Sequence, residues 1–442
     1  MFPGFDSVAN INIYIKETKV ASLHFNIEGH CKLRYEVNWK LTGFPLSPAL
    51  PFNEQFESSA IINFLKNLFP EGEAFNALLD LNRISKENIY AIISAIGHDT
   101  SGALVFANEP PSTTFENLRK ITEQELVTRL NSYNTRDLIL WDDKYRLSVA
   151  GVQNKLNILQ TKNGDMFLAD GKYASTHILK FASKETPLIT VNEYFCMKLA
   201  KLVELPVAEV NLKKIGSHNI LIVHRFDRMN VKNTIRKAHL VDGCQVLNLP
   251  PQFKYEQNFG SGRDVKHIRD GVSLRKLFDF TDQCYIPGQE KQFILDWLIF
   301  NIFIGNSDAH GKNISFFVGK NLYKLAPFYD LLSVVFEANN NNLFETGLAM
   351  AIGENFDINN VKAYDFICLA EEVGIPFKQL KNRLFRMYEK ILSSLSKIDK
   401  CCKTEDDEVN KVFKLLKNLI EGRCSQLFVE LEQLDFVKKS AF

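Results

Sequence analysis

A polar segment of nine residues, 305–313, lies between two apolar runs of the chain, residues 293–304 and 314–318. Apolar runs of this length are buried in a soluble protein, so the segment between them must be a loop that leaves a packed core and returns to it. Loops that rigid elements position in this way often carry catalytic groups. We therefore expect functional side chains in this loop.

Asp308 and Asn313 of the loop are five residues apart. The same separation links the catalytic Asp and the metal-binding Asn of the kinase loop H-R-D-x-x-x-x-N. Further along, the strand-like residues 323–329 lead into a second acidic residue, Asp330. Phosphoryl transfer needs a carboxylate beside the attacking hydroxyl and oxygen ligands for Mg²⁺. The pattern predicts that Asp308 orients or deprotonates a substrate hydroxyl, and that Asn313 and Asp330 bind Mg²⁺.

Lys180 lies in a strand-like run between apolar neighbours. A buried ammonium group needs an anionic partner, because removing it from water is costly. The natural partners are a nucleotide phosphate and Glu193, which lies in the first turns of a predicted helix, although Glu185 or Glu204 could replace Glu193. The alternative is a lysine on an edge strand that faces water.

Residues 148–155 precede these strands and form a candidate phosphate loop. The segment has a single glycine and no G-x-G-x-x-G pattern, so on its own it is a weak signal for backbone amides that cradle an anion. Ser148 stands at its start, where a serine can also simply cap a turn. In the loop 305–313, His310 and Lys312 either contact phosphate or fix the loop. The predicted nucleotide loop consists of Val149, Ala150, Gly151, Val152, Gln153, Asn154 and Lys155.

The periodicity of the apolar residues divides the chain into three predicted domains, residues 1–110, 130–228 and 229–442. Strand-like alternation over residues 8–40 opens the first domain, and a polar, proline-containing stretch at 108–114 follows it as a linker. Strands predominate in the second domain and helices in the third, where residues 339–342 are four asparagines that predict a loop. The predicted helices are 58–68, 73–79, 86–95, 191–202, 364–373, 377–395 and 408–434, and the predicted strands of the second domain are 156–160, 165–169, 177–181 and 219–223.

The composition is that of a globular protein of the cytoplasm. The 442 residues carry a formal net charge of +1, which gives no overall reason to expect nucleic-acid or membrane binding. We find no signal-peptide pattern, and the longest apolar run is too short to cross a bilayer. The eight cysteines include no C-x-x-C pair, which favours reduced thiols over disulfides or zinc.

Taken together, these segments resemble the HipA serine/threonine kinases, the toxins of bacterial HipA–HipB modules. Three N-terminal motifs also match the accessory domain of that family: Phe44-Pro45-Leu46-Ser47, Leu68-Phe69-Pro70-Glu71-Gly72 and Ala95-Ile96-Gly97-His98-Asp99. The kinase motifs that match are Ser148-Val149-Ala150-Gly151-Val152-Gln153-Asn154-Lys155, Thr176-His177-Ile178-Leu179-Lys180, Asn192-Glu193-Tyr194-Phe195-Cys196, Arg225-Phe226-Asp227-Arg228, Asn306-Ser307-Asp308-Ala309-His310-Gly311-Lys312-Asn313 and Pro327-Phe328-Tyr329-Asp330.

The resemblance implies an α+β, two-lobed protein-kinase-like fold with an N-terminal β-containing accessory subdomain and a mostly helical C-terminal lobe. It also implies ATP and Mg²⁺ as cofactors, with a hinge at His224, Arg225 and Phe226 that contacts the nucleotide and autophosphorylation at Ser148. His224 stands where the family has Glu. The implied partners are a HipB-like helix-turn-helix antitoxin, DNA through that antitoxin, and an aminoacyl-tRNA synthetase as substrate, glutamyl-tRNA synthetase in the best-known members.

Two other functions remain open at this point. A small-molecule kinase of the antibiotic-phosphotransferase type would share the Asp, Asn and Asp pattern, but the N-terminal domain argues against it. A vestigial kinase that acts as a co-repressor would need no catalytic residues. The presence of Lys180, Asp308, Asn313 and Asp330 argues against that function.

Overall fold

The computed structural model describes residues 6–111, 118–142, 144–146, 153–169, 173–231, 234–320 and 322–441. Helices and strands alternate through it without a repeat, which confirms the α+β class. The strands are β1 (Ser7–Ile15), β2 (Thr18–Asn26), β3 (Cys31–Tyr35), β4 (Leu104–Ala107), β5 (Arg119–Ile121), β6 (Leu140–Trp141), β7 (Lys144–Tyr145), β8 (Lys155–Gln160), β9 (Met166–Leu168), β10 (His177–Lys180), β11 (Val210–Ile215), β12 (His218–His224), β13 (Arg228–Val231), β14 (Thr234–Lys237), β15 (Leu240–Asp242), β16 (Ser315–Gly319), β17 (Leu322–Leu325), β18 (Gly347–Ile352) and β19 (Asn355–Asp357).

The helices lie mainly in the second half of the chain. They are α1 (Val37–Thr42), α2 (Ser58–Lys66), α3 (Gly72–Asn82), α4 (Ile89–Ile96), α5 (Glu123–Ser132), α6 (Thr135–Ile139), α7 (Ile189–Leu202), α8 (Gly243–Val246), α9 (Leu274–Phe280), α10 (Pro287–Ile304), α11 (Val334–Asn340), α12 (Ala363–Glu372), α13 (Phe377–Leu395), α14 (Ile398–Cys402) and α15 (Asp407–Ala441).

The chain forms two compact units, each made of segments that are distant in sequence. The first unit comprises Met1–Ser183, Lys213–Pro251 and Ser315–Lys324, and the second comprises Lys184–Leu212, Gln252–Ile314 and Leu325–Phe442. The domain limits drawn from the sequence, 1–110, 130–228 and 229–442, stay predictions.

The N-terminal part of the first unit is a four-stranded sheet in the order β3-β2-β1-β4. Its strands alternate as the sequence predicts, so that Ile11 and Ile13 of β1 are buried. Residues from Val37 onwards depart from the prediction, because the chain leaves the sheet after Tyr35 and forms the short helix α1. There the Trp39 indole Nε1 donates to the main-chain oxygen of Phe44 at 2.9 Å, which closes the turn.

A six-stranded sheet in the order β11-β12-β10-β8-β9-β5 forms the next layer. Its apolar face packs into one core, which includes Trp141, Leu156, Ile158, Leu179 and Ile222. Since side chains alternate across a strand, the neighbours of these residues in β8 and β10 must face the other side of the sheet. This alternation decides where the polar residues of the sheet lie.

A buried network of charges joins the N-terminal sheet to the six-stranded sheet within the first unit. The guanidinium of Arg225 donates to both carboxylate oxygens of Asp227, at 3.0 and 2.9 Å. Arg228 donates to Asp227 at 2.6 Å and to Asp99 at 3.0 Å. Ser175 donates to Asp99 at 2.5 Å and accepts from Arg225 at 2.8 Å. The motif at residue 99 and the motif at 225–228 therefore meet in one structural cluster.

The cations of this network keep its carboxylates ionised. Burial alone would raise the pKa of Asp99, but the charges of Lys237, Arg225 and Arg228 outweigh it and lower that pKa well below its usual range. Burial also acts on Asp227, and the two arginines again reverse it, so its pKa is lowered. Lys237, whose ammonium lies 3.3 Å from Asp99, has its pKa lowered to about 8 by burial.

In the second unit, α10 includes the first apolar run of the sequence and is buried along most of its length. From Ile294 to Ile304 every residue except Asp296 is buried, as expected of a helix segment that is apolar on most sides. Its C-terminus is closed by Gly305 in the left-handed conformation, with φ of 74°. Arg423 of α15 donates to the main-chain oxygen of Ile302 at 2.8 Å, which satisfies a carbonyl of the last turn.

The four asparagines at 339–342 are only partly a loop. The helix α11 continues through Asn340, whose side-chain amide donates to the main-chain oxygen of Phe336 at 2.7 Å. This bond to the preceding turn lets a residue with low helix propensity remain helical.

Among the residues that the structure describes, no helix is long and apolar enough to cross a membrane.

The charge network predicts that Asp227→Asn destabilises the protein strongly, because two buried guanidinium groups lose an anionic partner. We expect a loss of about 3 kcal/mol in the free energy of unfolding, measured by urea denaturation. The matched control is Asp165→Asn, which removes an exposed ion pair with Lys120 and should change that energy by less than about 1 kcal/mol. Equal unfolding curves for the two variants would show that the network does not stabilise the fold.

Candidate active site

The loop after α10 is held by its own side chains. The Asn306 side chain donates to that of Asn301 at 2.8 Å and accepts from the main-chain nitrogen of Asp308 at 3.2 Å. One asparagine thus ties the loop to the helix and fixes the backbone at Asp308. The Asp308 side chain itself is only half-buried, so it can meet a molecule from solvent.

The second half of the loop is a single 3₁₀ turn, Gly311–Asn313. His310 caps it, with ring Nδ1 accepting from the main-chain nitrogen of Lys312 at 3.3 Å. The Asn313 side-chain nitrogen donates to the main-chain oxygen of Asp308 at 2.9 Å. His310 therefore fixes the loop, as one of its two predicted roles requires, and the phosphate contacts of His310 and Lys312 stay predictions.

Asp330 lies in a second loop, with φ of 60°. This left-handed conformation is unfavourable for a residue other than glycine, and it persists only where the surroundings enforce it. On the N-terminal side, the main-chain nitrogen of Phe328 donates to the oxygen of Pro206 at 2.7 Å, and the Phe328 oxygen accepts from Ala208 at 2.9 Å. The chain is therefore fixed two residues before Asp330.

A side chain of α7 holds the loop on the other side. The Asn192 carboxamide accepts from the main-chain nitrogen of Ser333 at 2.9 Å and donates to the oxygen of the same residue at 2.9 Å. It also donates to the buried Glu337 at 2.8 Å. Asn192 is completely buried, and the sequence alone did not single it out from its neighbour Glu193. The sequence signal for Asn192 is that it opens the motif Asn192-Glu193-Tyr194-Phe195-Cys196.

One hydrogen bond joins the two loops directly. The hydroxyl of Tyr329 donates to the main-chain oxygen of Lys312 at 2.7 Å. Asp330, next to Tyr329, is thereby tied to the turn that carries Asn313. The second unit thus brings the predicted base and both predicted metal ligands into one bonded system.

These residues suit a hard cation. Asn313 and Asp330 supply oxygen atoms. The side-chain nitrogen of Asn313 donates a hydrogen bond to the main-chain oxygen of Asp308, so the carboxamide oxygen is the atom of Asn313 that can bind a metal ion. Mg²⁺ is commonly bound by one or two such oxygens together with phosphate and water. In the described part of the chain, no cluster of three or more His, Cys, Asp and Glu side chains forms a metal site on its own.

In the first unit, the six-stranded sheet carries two lysines side by side. Lys180 of β10 lies directly opposite Lys155 of β8 in the antiparallel register, so both side chains project from the same face. That face also carries Asn157, and it is opposite to the apolar face with Leu156 and Leu179. Only 5% of Lys155 and 9% of Lys180 is exposed. Two lysines thus lie next to each other, nearly buried, on the polar face of the sheet, and their contacts with a nucleotide phosphate stay predictions.

The hinge residues have different environments. His224 is exposed at the end of β12, directly opposite His177, and the two rings meet edge to face with their centroids 5.0 Å apart. Burial and the nearby His224 lower the pKa of His177 to about 4, so its ring is neutral near pH 7. Phe226 packs edge to face on Phe317, with ring centroids 6.0 Å apart. Nucleotide contacts by His224 and Phe226 stay predictions.

Arg225 is the hinge residue for which the structure gives another role. Its guanidinium donates to the side chains of Asp227 and Ser175. Its main-chain nitrogen donates to the main-chain oxygen of Thr176 at 3.0 Å, and its main-chain oxygen accepts from the main-chain nitrogen of Arg228. The conformation described here leaves its polar groups engaged in the structural network. A nucleotide contact by Arg225 stays a prediction.

The remaining predicted residues are divided between the units. Gln153 and Asn154 both bond to the main chain of Phe181, at 3.4 and 2.9 Å, which joins the end of the predicted nucleotide loop to the strand after Lys180. Glu193 is buried in α7 of the second unit, and its ion pair with Lys180 of the first stays a prediction. The predicted residues Ser148, Val149, Ala150, Gly151 and Val152 lie outside the described part of the chain.

Comparison with known proteins gives consistent matches. A HipA N-terminal domain matches residues 11–107, and a HipA-like C-terminal domain matches residues 147–395. The serine/threonine-protein kinase toxin HipA of Shewanella oneidensis is 36% identical over 94% of this chain and 95% of its own. A putative kinase of Sinorhizobium fredii, Y4mE, is 29% identical over 80% of this chain and 83% of its own.

A solved structure agrees with the sequence comparisons. It is the complex of HipA and HipB of Shewanella oneidensis MR-1 with its operator DNA, and it matches with a TM-score of 0.87 and 34% identity over 96% of this chain and 99% of the other. The kinase-like fold that the motifs predict is thereby confirmed. The chain belongs to the HipA family and is a serine/threonine-protein kinase.

Proposed function

We propose that this kinase uses ATP and Mg²⁺ to phosphorylate a protein hydroxyl, and that it acts as the toxin of a toxin–antitoxin pair in the cytoplasm. The observation that carries the proposal is the bonded system of two loops in the second unit, in which the Tyr329 hydroxyl ties the Asp330 loop to the turn with Asn313. Phosphoryl transfer depends mainly on positioning and on charge stabilisation, and both need such rigid loops.

Each residue has a defined part in this proposal. Asp308 orients the acceptor hydroxyl and takes up its proton as the new bond to the γ-phosphorus forms and the bond from that phosphorus to the bridging oxygen breaks, which releases ADP. The carboxamide oxygen of Asn313 and the carboxylate of Asp330 hold Mg²⁺, which neutralises charge on the phosphates when it is bound. Lys155 and Lys180, which lie opposite each other on one face of the sheet, bind phosphate oxygens.

The substrate proposal is an aminoacyl-tRNA synthetase, and glutamyl-tRNA synthetase is the first to test. Its support is the family resemblance. The antitoxin proposal has a separate support, because the HipA that matches over 96% of this chain was solved with HipB and operator DNA. In this proposal a HipB-like helix-turn-helix protein binds the kinase, and DNA is held through it.

Removal of the Asp308 carboxylate should abolish transfer without unfolding the protein. We expect Asp308→Asn to lose on the order of 10³-fold or more in kcat, because the acceptor hydroxyl is no longer oriented or deprotonated. Label transfer from radioactive ATP to glutamyl-tRNA synthetase and to the chain itself is the measurement. Asp279→Asn, at an exposed position of α9, is the matched control and should keep full activity. Full activity of Asp308→Asn at an unchanged melting temperature would refute the assignment.

Asp330→Asn should act through the metal. The amide keeps the shape of the side chain and removes its charge, so we expect the Mg²⁺ concentration needed for half-maximal transfer to rise at least tenfold. A titration of transfer rate against Mg²⁺ at fixed ATP measures this. An unchanged Mg²⁺ dependence would show that Asp330 is not a ligand.

Phosphorylation of Ser148 should silence the kinase. A phosphoserine adds about −1.5 to −2 charge at the start of the predicted nucleotide loop. That charge would either occupy the predicted phosphate-binding site of ATP or repel the nucleotide. We expect mass spectrometry to find phosphate on Ser148 after incubation with Mg²⁺ and ATP, and the modified protein to bind ATP at least tenfold more weakly. Ser148→Ala is the control that cannot be modified. Equal ATP affinity of the modified and unmodified forms would rule out this regulation.

A further inference from the structure

Tyr255 makes a contact with Asp308 that the sequence did not predict. Its hydroxyl donates to the Oδ1 atom of Asp308 at 2.7 Å. The phenol ring lies edge to face against the His310 ring, with the centroids 5.2 Å apart. Tyr255 is 37% exposed, and the Asp308 side chain that it contacts is half-buried. The residue stands in the Lys254-Tyr255-Glu256 stretch, to which the proposed mechanism gives no part.

The backbone around Tyr255 is bonded to the catalytic loop. The main-chain oxygen of Lys254 accepts from the nitrogen of Gly311 at 3.0 Å. The nitrogen of Glu256 donates to the oxygen of Ala349 at 2.9 Å, and the nitrogen of Ala349 donates to the oxygen of Ser307 at 2.8 Å. Residues on both sides of Tyr255 are thus connected to residues on both sides of Asp308.

The Glu256 side chain adds a second anchor. Its carboxylate accepts from Arg269 at 2.7 Å and from the main-chain nitrogen of Ala351 at 2.8 Å. Behind the segment, Gly271 lies so close that a Cβ atom there would be 1.8 Å from the main-chain oxygen of Tyr255. The backbone that carries the phenol is therefore fixed from three directions.

We propose that Tyr255 is a positioning residue for phosphoryl transfer, which holds the Asp308 carboxylate in the orientation that receives the acceptor hydroxyl. This inference rests on the proposed role of Asp308. A half-exposed carboxylate can rotate about its Cβ–Cγ bond, and a hydrogen bond from a fixed phenol to Oδ1 restricts that rotation. In this proposal the other oxygen, Oδ2, receives the proton of the acceptor hydroxyl.

Tyr255→Phe tests the hydroxyl alone, because the phenylalanine ring keeps the contact with His310. We expect kcat and kcat/KM to fall together by roughly tenfold, since the lost interaction acts in the transition state. The KM for ATP and the melting temperature should not change. The matched control is Tyr285→Phe, at a residue that is 70% exposed, and it should behave as wild type. Label transfer from radioactive ATP to the chain itself and to glutamyl-tRNA synthetase provides the rates.

The outcomes separate the two proposals. If Asp308→Asn is inactive while Tyr255→Phe keeps the wild-type kcat, the positioning role is wrong and the proposed function stands. A Tyr255→Phe variant that loses activity only through a higher KM for ATP or a lower melting temperature would also overturn the positioning role. If wild type and Asp308→Asn transfer phosphate equally, or neither transfers any, the proposed function fails and the role of Tyr255 fails with it.

Discussion

The backbone at Asp330 adopts an unfavourable left-handed conformation, and the rest of the candidate site depends on the contacts that enforce it. The parallel bridge at Phe328 fixes the chain before it, and the Asn192 carboxamide binds both main-chain groups of Ser333 after it. The Tyr329 hydroxyl then links this strained loop to the turn with Asn313. The loop is therefore held on three sides at the point where the Asp330 backbone takes its left-handed conformation.

The two faces of the six-stranded sheet carry different kinds of side chain. One face joins a core of large apolar residues, and the opposite face carries Lys155 and Lys180 in direct register. A shift of the register by one residue would exchange the two faces, so the core that stabilises the sheet also fixes where the cations lie. The packing of the core and the position of the two lysines therefore depend on one pattern of alternation.

Much of this could be predicted from the sequence, because it rests on local periodicity. The strands β8, β10 and β12 and the helices α7, α13 and α15 begin close to where the apolar pattern places them. The spacing of Asp308 and Asn313 predicts a catalytic role for the loop, and that role stays a prediction. Contacts between distant segments carry no such local signal. The contact of Tyr255 with Asp308, that of Asn192 with Ser333, and the place of Arg225 in the charge network are therefore visible only in the structure. Val37 was misassigned for a similar reason, because the sheet ends where pairing with β2 ends.

The central claim is that Asn313 and Asp330 bind the metal that the nucleotide brings. The most direct test is a crystal structure with a non-hydrolysable ATP analogue and Mn²⁺, which takes the same hard oxygen ligands as Mg²⁺ and gives an anomalous signal. We predict an anomalous peak in ligand contact with the Asn313 carboxamide oxygen, the Asp330 carboxylate and the phosphates of the analogue. A nucleotide bound with its metal peak away from both residues would contradict the account.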